Sequence, residues 1–168
     1  MVHRPRDASG QVLSTSSYDA VGGAVVERAD GSVVHAAADG HGSGGTSSAS
    51  GCRKVTVQNR GESVTGMLVY QYNTWTEWCW KRDDHAITSV KTGEYLSHVA
   101  STMYYRGVIG KNEEFYAWRS GYNKSGHWHS RQSHWENCVA KYGCISNDYP
   151  RNSLRAHSDG TYSWATYD

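Results

Sequence analysis

No stretch of the chain approaches the ~20 apolar residues that a membrane-spanning helix requires, which excludes one. Neither sign of charge prevails. Lys and Arg number 17 against 16 Asp and Glu, a formal net charge of +1, so neither nucleic acid nor membrane insertion is expected. There is no CxxC knuckle for zinc, no GxSxG elbow for a serine nucleophile and no repeat of solenoid or propeller length. No segment carries a convincing helical period. The sharpest gap is local: of twenty aromatic residues, only Tyr18 precedes Cys52.

Beyond that gap lies nearly everything that can build a core. Residues 52–168 hold all seven Trp, the single Phe, eleven of the twelve Tyr and all four Cys. At about 150–250 Å² buried per ring, these aromatics can supply one core. The pattern there has period two. In "KVTVQNRGESVTGMLVYQYNTW", Val55 and Val57 share a face and a turn is expected at Asn59–Glu62. Met67, Val69 and Gln71 then alternate with Leu68, Tyr70 and Tyr72. Further short runs include "WTEWCWKRD", "AITSVKTGEYLSHV", "TMYYRGVIGK" and "GHWHSRQSHWENCVAKYG". Turn signals stand at Asp83-Asp84, Thr92-Gly93, Ser120-Gly121 and Asp159-Gly160. The closing "LRAHSDGTYSWATY" sets Asp-Gly between alternating runs, a two-residue hairpin signal. Seven or eight strands and no helix predict an all-β antiparallel sandwich or barrel, and a sandwich is the expectation.

Cys52, Cys79, Cys138 and Cys144 are an even set, read as two disulfides and an oxidising, extracellular destination. Spacing leaves three pairings open. A tight Cys138–Cys144 loop would leave Cys52 with Cys79, whereas the nested alternatives would tie sheet to sheet. The opening "MVHRPRDASGQ" has basic residues but no apolar h-region, so a signal removed upstream of this numbering is expected.

The first fifty residues differ in kind. Residues 1–40 read as an extended arm with a possible hairpin, 41–51 as a Gly/Ser linker and 52–168 as the disulfide-bonded domain. In the arm, Val12-Leu13, and Val25-Val26 facing Val33-Val34 across an Asp-Gly turn, have strand propensity. They are too few for a core, and a lone two-stranded hairpin is marginal in water. Such a segment can fold back as an edge hairpin, serve as a propeptide or inert linker, or order in a partner's groove, the last being the expectation. At its tip, Pro5 fixes φ and biases Arg4 towards an extended conformation. The forks of Arg4 and Arg6 suit an acidic cleft such as a trypsin-like pocket, the plainer reading being a solubilising tail.

Candidates for chemistry are weaker. His127 and His129 share a strand face and, with His134 and Glu136, could form a zinc set. The same spacing suits an outward polar face opposite an inward Trp128, so no metal or other cofactor is expected. Glu77, Asp83, Asp84, Glu113 and Glu114 are paired-carboxylate candidates by type only, and turn positions explain them more simply. No catalytic residue is assigned. Trp78 and Trp80 share a face that Trp75 does not, which allows a sugar-stacking platform, although core packing is the default for Trp.

From Cys52 onward, "CRKVTV", "WCW", "AITSV", "YYRG", "ENCVAKYGC" with "YP" following, and "DGTYSW" resemble a family of small secreted actinobacterial proteins. The chain further resembles the B-component adaptors of Streptomyces umbrella toxin particles. That resemblance implies a non-enzymatic bridge between a large scaffold with a toxin domain and a lectin-bearing component with a trypsin-like domain. It also implies an N-terminal extension that enters a cleft of the latter. The alternatives are a secreted serine-protease inhibitor presenting Arg4 or Arg6, and a carbohydrate-binding module using exposed Trp.

Overall fold

The computed structural model describes residues 20–27, 33–35, 41–45, 47–63 and 66–167. Their strands are β1 (Ala20–Glu27), β2 (Val33–His35), β3 (His41–Gly44), β4 (Ser50–Glu62), β5 (Leu68–Lys81), β6 (Ala86–Val99), β7 (Met103–Tyr116), β8 (Gly126–Val139), β9 (Gly143–Asp148), β10 (Arg151–His157) and β11 (Tyr162–Tyr167). The fold is all-β and antiparallel. One sheet runs β2-β1-β4-β5-β6 and the other β3-β11-β10-β8-β7. Strands β9 and β10 share one side of β8, β9 against Trp135–Val139 and β10 against Gly126–Gln132. Pro150 sits at the break between them, where its missing amide costs no ladder bond, and its carbonyl accepts from Ser133 N–H at 3.0 Å.

Period-two alternation decides what lies between the sheets. Val55 and Val57 of β4, Trp78 and Trp80 of β5, Leu154 of β10 and Trp164 of β11 pack into one cluster. Tyr70, Tyr72, Met103 and Trp135 form a second. The large rings bring polar atoms inside; those of Trp78, Trp80 and Tyr70 find acceptors, while Trp164 Nε1 and the Tyr72 hydroxyl have no partner among the described residues. Trp78 Nε1 donates to the His157 carbonyl and Trp80 Nε1 to the Ser48 carbonyl, each at 3.2 Å. Tyr70 stacks on Trp135 at 4.7 Å between centroids, and its hydroxyl donates to Asp148 Oδ2 at 2.7 Å.

Glycine recurs opposite the rings. Gly42 faces Trp164, Gly44 faces Tyr162, Gly51 faces Trp80, Gly61 faces Tyr70, Gly93 faces Trp75 and Gly126 faces Tyr116. A Cβ on Gly42 would lie 2.8 Å from the Trp164 ring, and one on Gly93 would lie 2.6 Å from Trp75. The missing side chain is therefore the seat of the neighbouring ring, an arrangement that compensates the weakness of glycine in strands.

That pairing corrects three sequence expectations. The stretch 41–51 is not all linker: residues 41–44 are β3, lying on β11 under Trp164 and Tyr162, and Ser50 and Gly51 open β4. The turn expected at Asn59–Glu62 is strand, because Gly61 accommodates Tyr70; the chain turns at Ser63–Met67, where Gly66 adopts φ 78°. Thr92-Gly93 likewise lies inside β6 rather than in a turn, with Gly93 under Trp75.

The closing hairpin exists with a longer loop than the two residues expected. His157 N–H donates to the Thr161 carbonyl and Gly160 N–H to the His157 carbonyl, leaving Ser158, Asp159 and Gly160 in the loop. Gly160 takes the left-handed position that such three-residue loops require, φ 86°. Both disulfides link directly opposed residues within a sheet, Cys52–Cys79 across β4 and β5 and Cys138–Cys144 across β8 and β9. Neither ties sheet to sheet. Two disulfides are consistent with an oxidising compartment.

Candidate functional site

Strands β6 and β7 follow one another through a turn at residues 100–102, yet each is the outer strand of a different sheet. Together they form the open side of the sandwich, each 14 residues long. An edge strand presents unpaired backbone groups, and both strands blunt that liability with bulges. The register leaves Thr88 and Ser97 of β6, and Arg106 and Ile109 of β7, without opposite numbers. Among the described residues, six of the eleven exposed large hydrophobics lie here: Tyr95, Leu96, Val99, Tyr104, Ile109 and Phe115. These exposed apolar side chains are spread along both edges.

A polar latch beneath this edge holds the two sheets together. The odd residues of β8 point inward, so His127, His129, Ser133 and Trp135 are buried. Arg131, in the same row, donates to His129 Nε2 at 2.8 Å and pairs with Glu94 of β6 across the gap. Thr92 Oγ1 of β6 donates to Glu113 Oε1 of β7 at 2.8 Å. Since the guanidinium can only donate, His129 Nε2 accepts and its Nδ1–H faces Thr76 Oγ1 at 3.1 Å. Burial and then the adjacent Arg131 pull the His129 pKa down to about 4. Burial lowers that of His127 as well. Both imidazoles are thus neutral at pH 7; that of His129 is held by Arg131 and Thr76, whereas His127 Nδ1 is buried without a hydrogen-bond partner among the described residues.

The histidine orientation reverses the sequence expectation. His127 and His129 face the interior and Trp128 the outside, because the β8 face that meets β5 must offer a partner to Thr76 and carry Arg131 to Glu94. His134 and Glu136 occupy the opposite face, where His134 stacks on Tyr149 and Glu136 pairs with Arg106. The four residues cannot share one ion. A group of Glu136, Cys138 and Cys144 comes close together, but its two sulfurs are bonded to each other and offer no thiolate.

Trp78 and Trp80 are 0% and 4% exposed, so they are core and form no sugar platform. Glu113 belongs to the latch, while Asp83 and Asp84 sit in the exposed turn before β6. Of the arm residues, Arg4, Pro5, Arg6, Val12 and Leu13 lie outside the described residues. Val25, Val26, Val33 and Val34 form the β1–β2 hairpin, whose β1 backbone pairs with β4 from Ala20↔Gly61 to Glu27↔Lys54. The edge-hairpin alternative for this segment is therefore the one the backbone adopts.

The latch and the apolar edge were not singled out from the sequence. The signal was present in "RGVIGKNEEFY", where glycines and charges interrupt an apolar run as edge strands require. No family model, curated protein or solved structure matches the chain.

Proposed function

We propose that this chain is a secreted, non-enzymatic adaptor that bridges two larger proteins of an antibacterial toxin particle. One is a scaffold with a toxin domain, and the other a component bearing a lectin and a trypsin-like domain. The single observation that carries the bridging role is the β6–β7 side, where two edges with six exposed apolar side chains adjoin. Bulges on both strands disfavour indiscriminate strand addition, so a partner there would be recognised through side chains. The scaffold is assigned to this side. The second contact is assigned to the residues before Ala20, with Arg4 and Arg6 entering an acidic cleft. Support for that half is the basic, Pro-containing tip and the resemblance of residues 52–168. The two in-sheet disulfides fit an extracellular working place.

The test is capture from the secreted fraction of the source organism with three chains. One is complete, one begins at Ala20 and so keeps every described strand, and one carries Leu96→Asp with Ile109→Asp. The complete chain is expected to bring down both partners. The shortened chain should keep only the scaffold, and the double variant only the lectin-bearing component. Capture of both partners by all three, or of neither by the complete chain, refutes the bridge.

A further inference from the structure

On the outer face of the second sheet lies a concavity of about 380 Å³. It falls within the ~300–1,000 Å³ of ligand-binding clefts. Cross-strand register explains its shape. Ser130, Ser153 and Ala165 lie in one row across β8, β10 and β11, and their small side chains form the floor. The row on one side carries Trp128, Arg155 and Ser163, and that on the other carries Arg151 and Tyr167. Large and charged side chains thus wall a floor of hydroxyls.

Each wall is preset. Trp128 Nε1 donates to Ser153 Oγ at 2.8 Å, which holds the indole in one orientation. The Arg151 guanidinium lies 4.4 Å from the centroid of the Tyr167 ring, which orients its fork without consuming its N–H donors. Neither Arg151 nor Arg155 forms an ion pair among the described residues, and no carboxylate lines the concavity. Among the described residues, the row that holds Trp128 reaches an acid at Glu114, beyond it on β7.

We infer that this concavity binds a carboxylate-bearing saccharide. A fixed indole offers a face for the C–H side of a pyranose ring, serine hydroxyls match sugar hydroxyls, and two guanidinium forks without an ion pair among the described residues suit a carboxylate. A nucleic acid would demand a basic stripe along its backbone, and a net charge of +1 supplies none. This site is distinct from the platform first considered at Trp78 and Trp80. Its use does not depend on the bridging role.

The experiment is titration of the complete chain with tetragalacturonate, sialyllactose, a neutral tetrasaccharide of galactose and a mononucleotide, followed by Trp fluorescence and calorimetry. One of the two acidic saccharides is expected to bind at least about tenfold more tightly than the neutral one, since a charge-assisted fork is worth roughly that factor. Arg155→Ala, a fully surface change, should weaken that binding about tenfold, and Arg151→Ala likewise. Trp128→Ala should abolish the fluorescence response and the binding heat together, with far-ultraviolet circular dichroism confirming the fold. Absence of binding by both acidic saccharides overturns the assignment. So does binding that Arg151→Ala and Arg155→Ala leave unchanged, or a mononucleotide that binds more tightly than either sugar.

Discussion

The two sides of this sandwich solve the same problem by opposite means. On the side of β4, β10 and β11, the gap between sheets is filled by Trp78, Trp80, Tyr162 and Trp164, with glycines making room for the rings. On the side of β6 and β7, the polar contacts of Arg131, Glu94, Thr92 and Glu113 join the smaller cluster of Tyr70, Tyr72, Met103 and Trp135, and six large apolar side chains remain exposed. The filled side gains from area removed from water, which is indifferent to pH. The latched side depends on neutral histidines and a paired guanidinium, so it is the side that conditions can loosen. The exposed apolar residues of β6 and β7 lie on that same side.

The comparison can be broken at its strongest point first. Trp78→Ala removes a side chain with no exposed surface and is expected to cost about 3–5 kcal/mol, read from urea unfolding. A loss under about 1 kcal/mol would mean the filled side is not the anchor. Acid tests the other side. The folded His129 pKa, about 4, lies below the ordinary 6.5, so the folded state binds fewer protons than the unfolded between those values. Its contribution is whole above about pH 6.5 and is lost as pH falls towards about 4, by at most ~3 kcal/mol. Thermal melts across that window should show the fall. In Arg131→Met the slope should flatten, because the neighbouring cation is one cause of the depressed pKa.

A subtler probe addresses a glycine–ring pair at the second cluster. Gly61→Ala puts a methyl inside the space of the buried Tyr70 ring and is expected to cost about 1–3 kcal/mol. Tyr70→Leu should recover part of that loss in the double variant. Smallest of all, Ile109→Lys on the exposed edge should change stability by no more than about 0.5 kcal/mol while weakening capture of the scaffold.

Much of the fold was legible because alternation is a backbone property. Val55 and Val57 share the buried face as their spacing predicts, and Asp159-Gly160 marks a real turn. What misled was glycine. At 42, 44, 61 and 93 it reads locally as linker or turn, whereas its role is to receive a ring from another strand, a contact that sequence proximity does not reveal. The histidines misled for a related reason. A polar residue in a strand implies an outward face only if no buried partner awaits it, and Thr76 and Arg131 are 53 and two residues away from His129. The concavity beside Trp128 was invisible because its floor and walls come from three strands in register.

The glycine–ring pairs have a consequence for how such a sequence can drift. At Gly42, Gly44, Gly61, Gly93 and Gly126, neither partner is free to change alone: a bulkier residue in place of glycine collides, and a smaller one in place of the ring leaves a bare backbone; at Gly51 the Trp80 ring need give only a little. Descent should therefore preserve or exchange these residues two at a time. Among related chains, a lost glycine at one register position should coincide with a lost aromatic directly across the ladder.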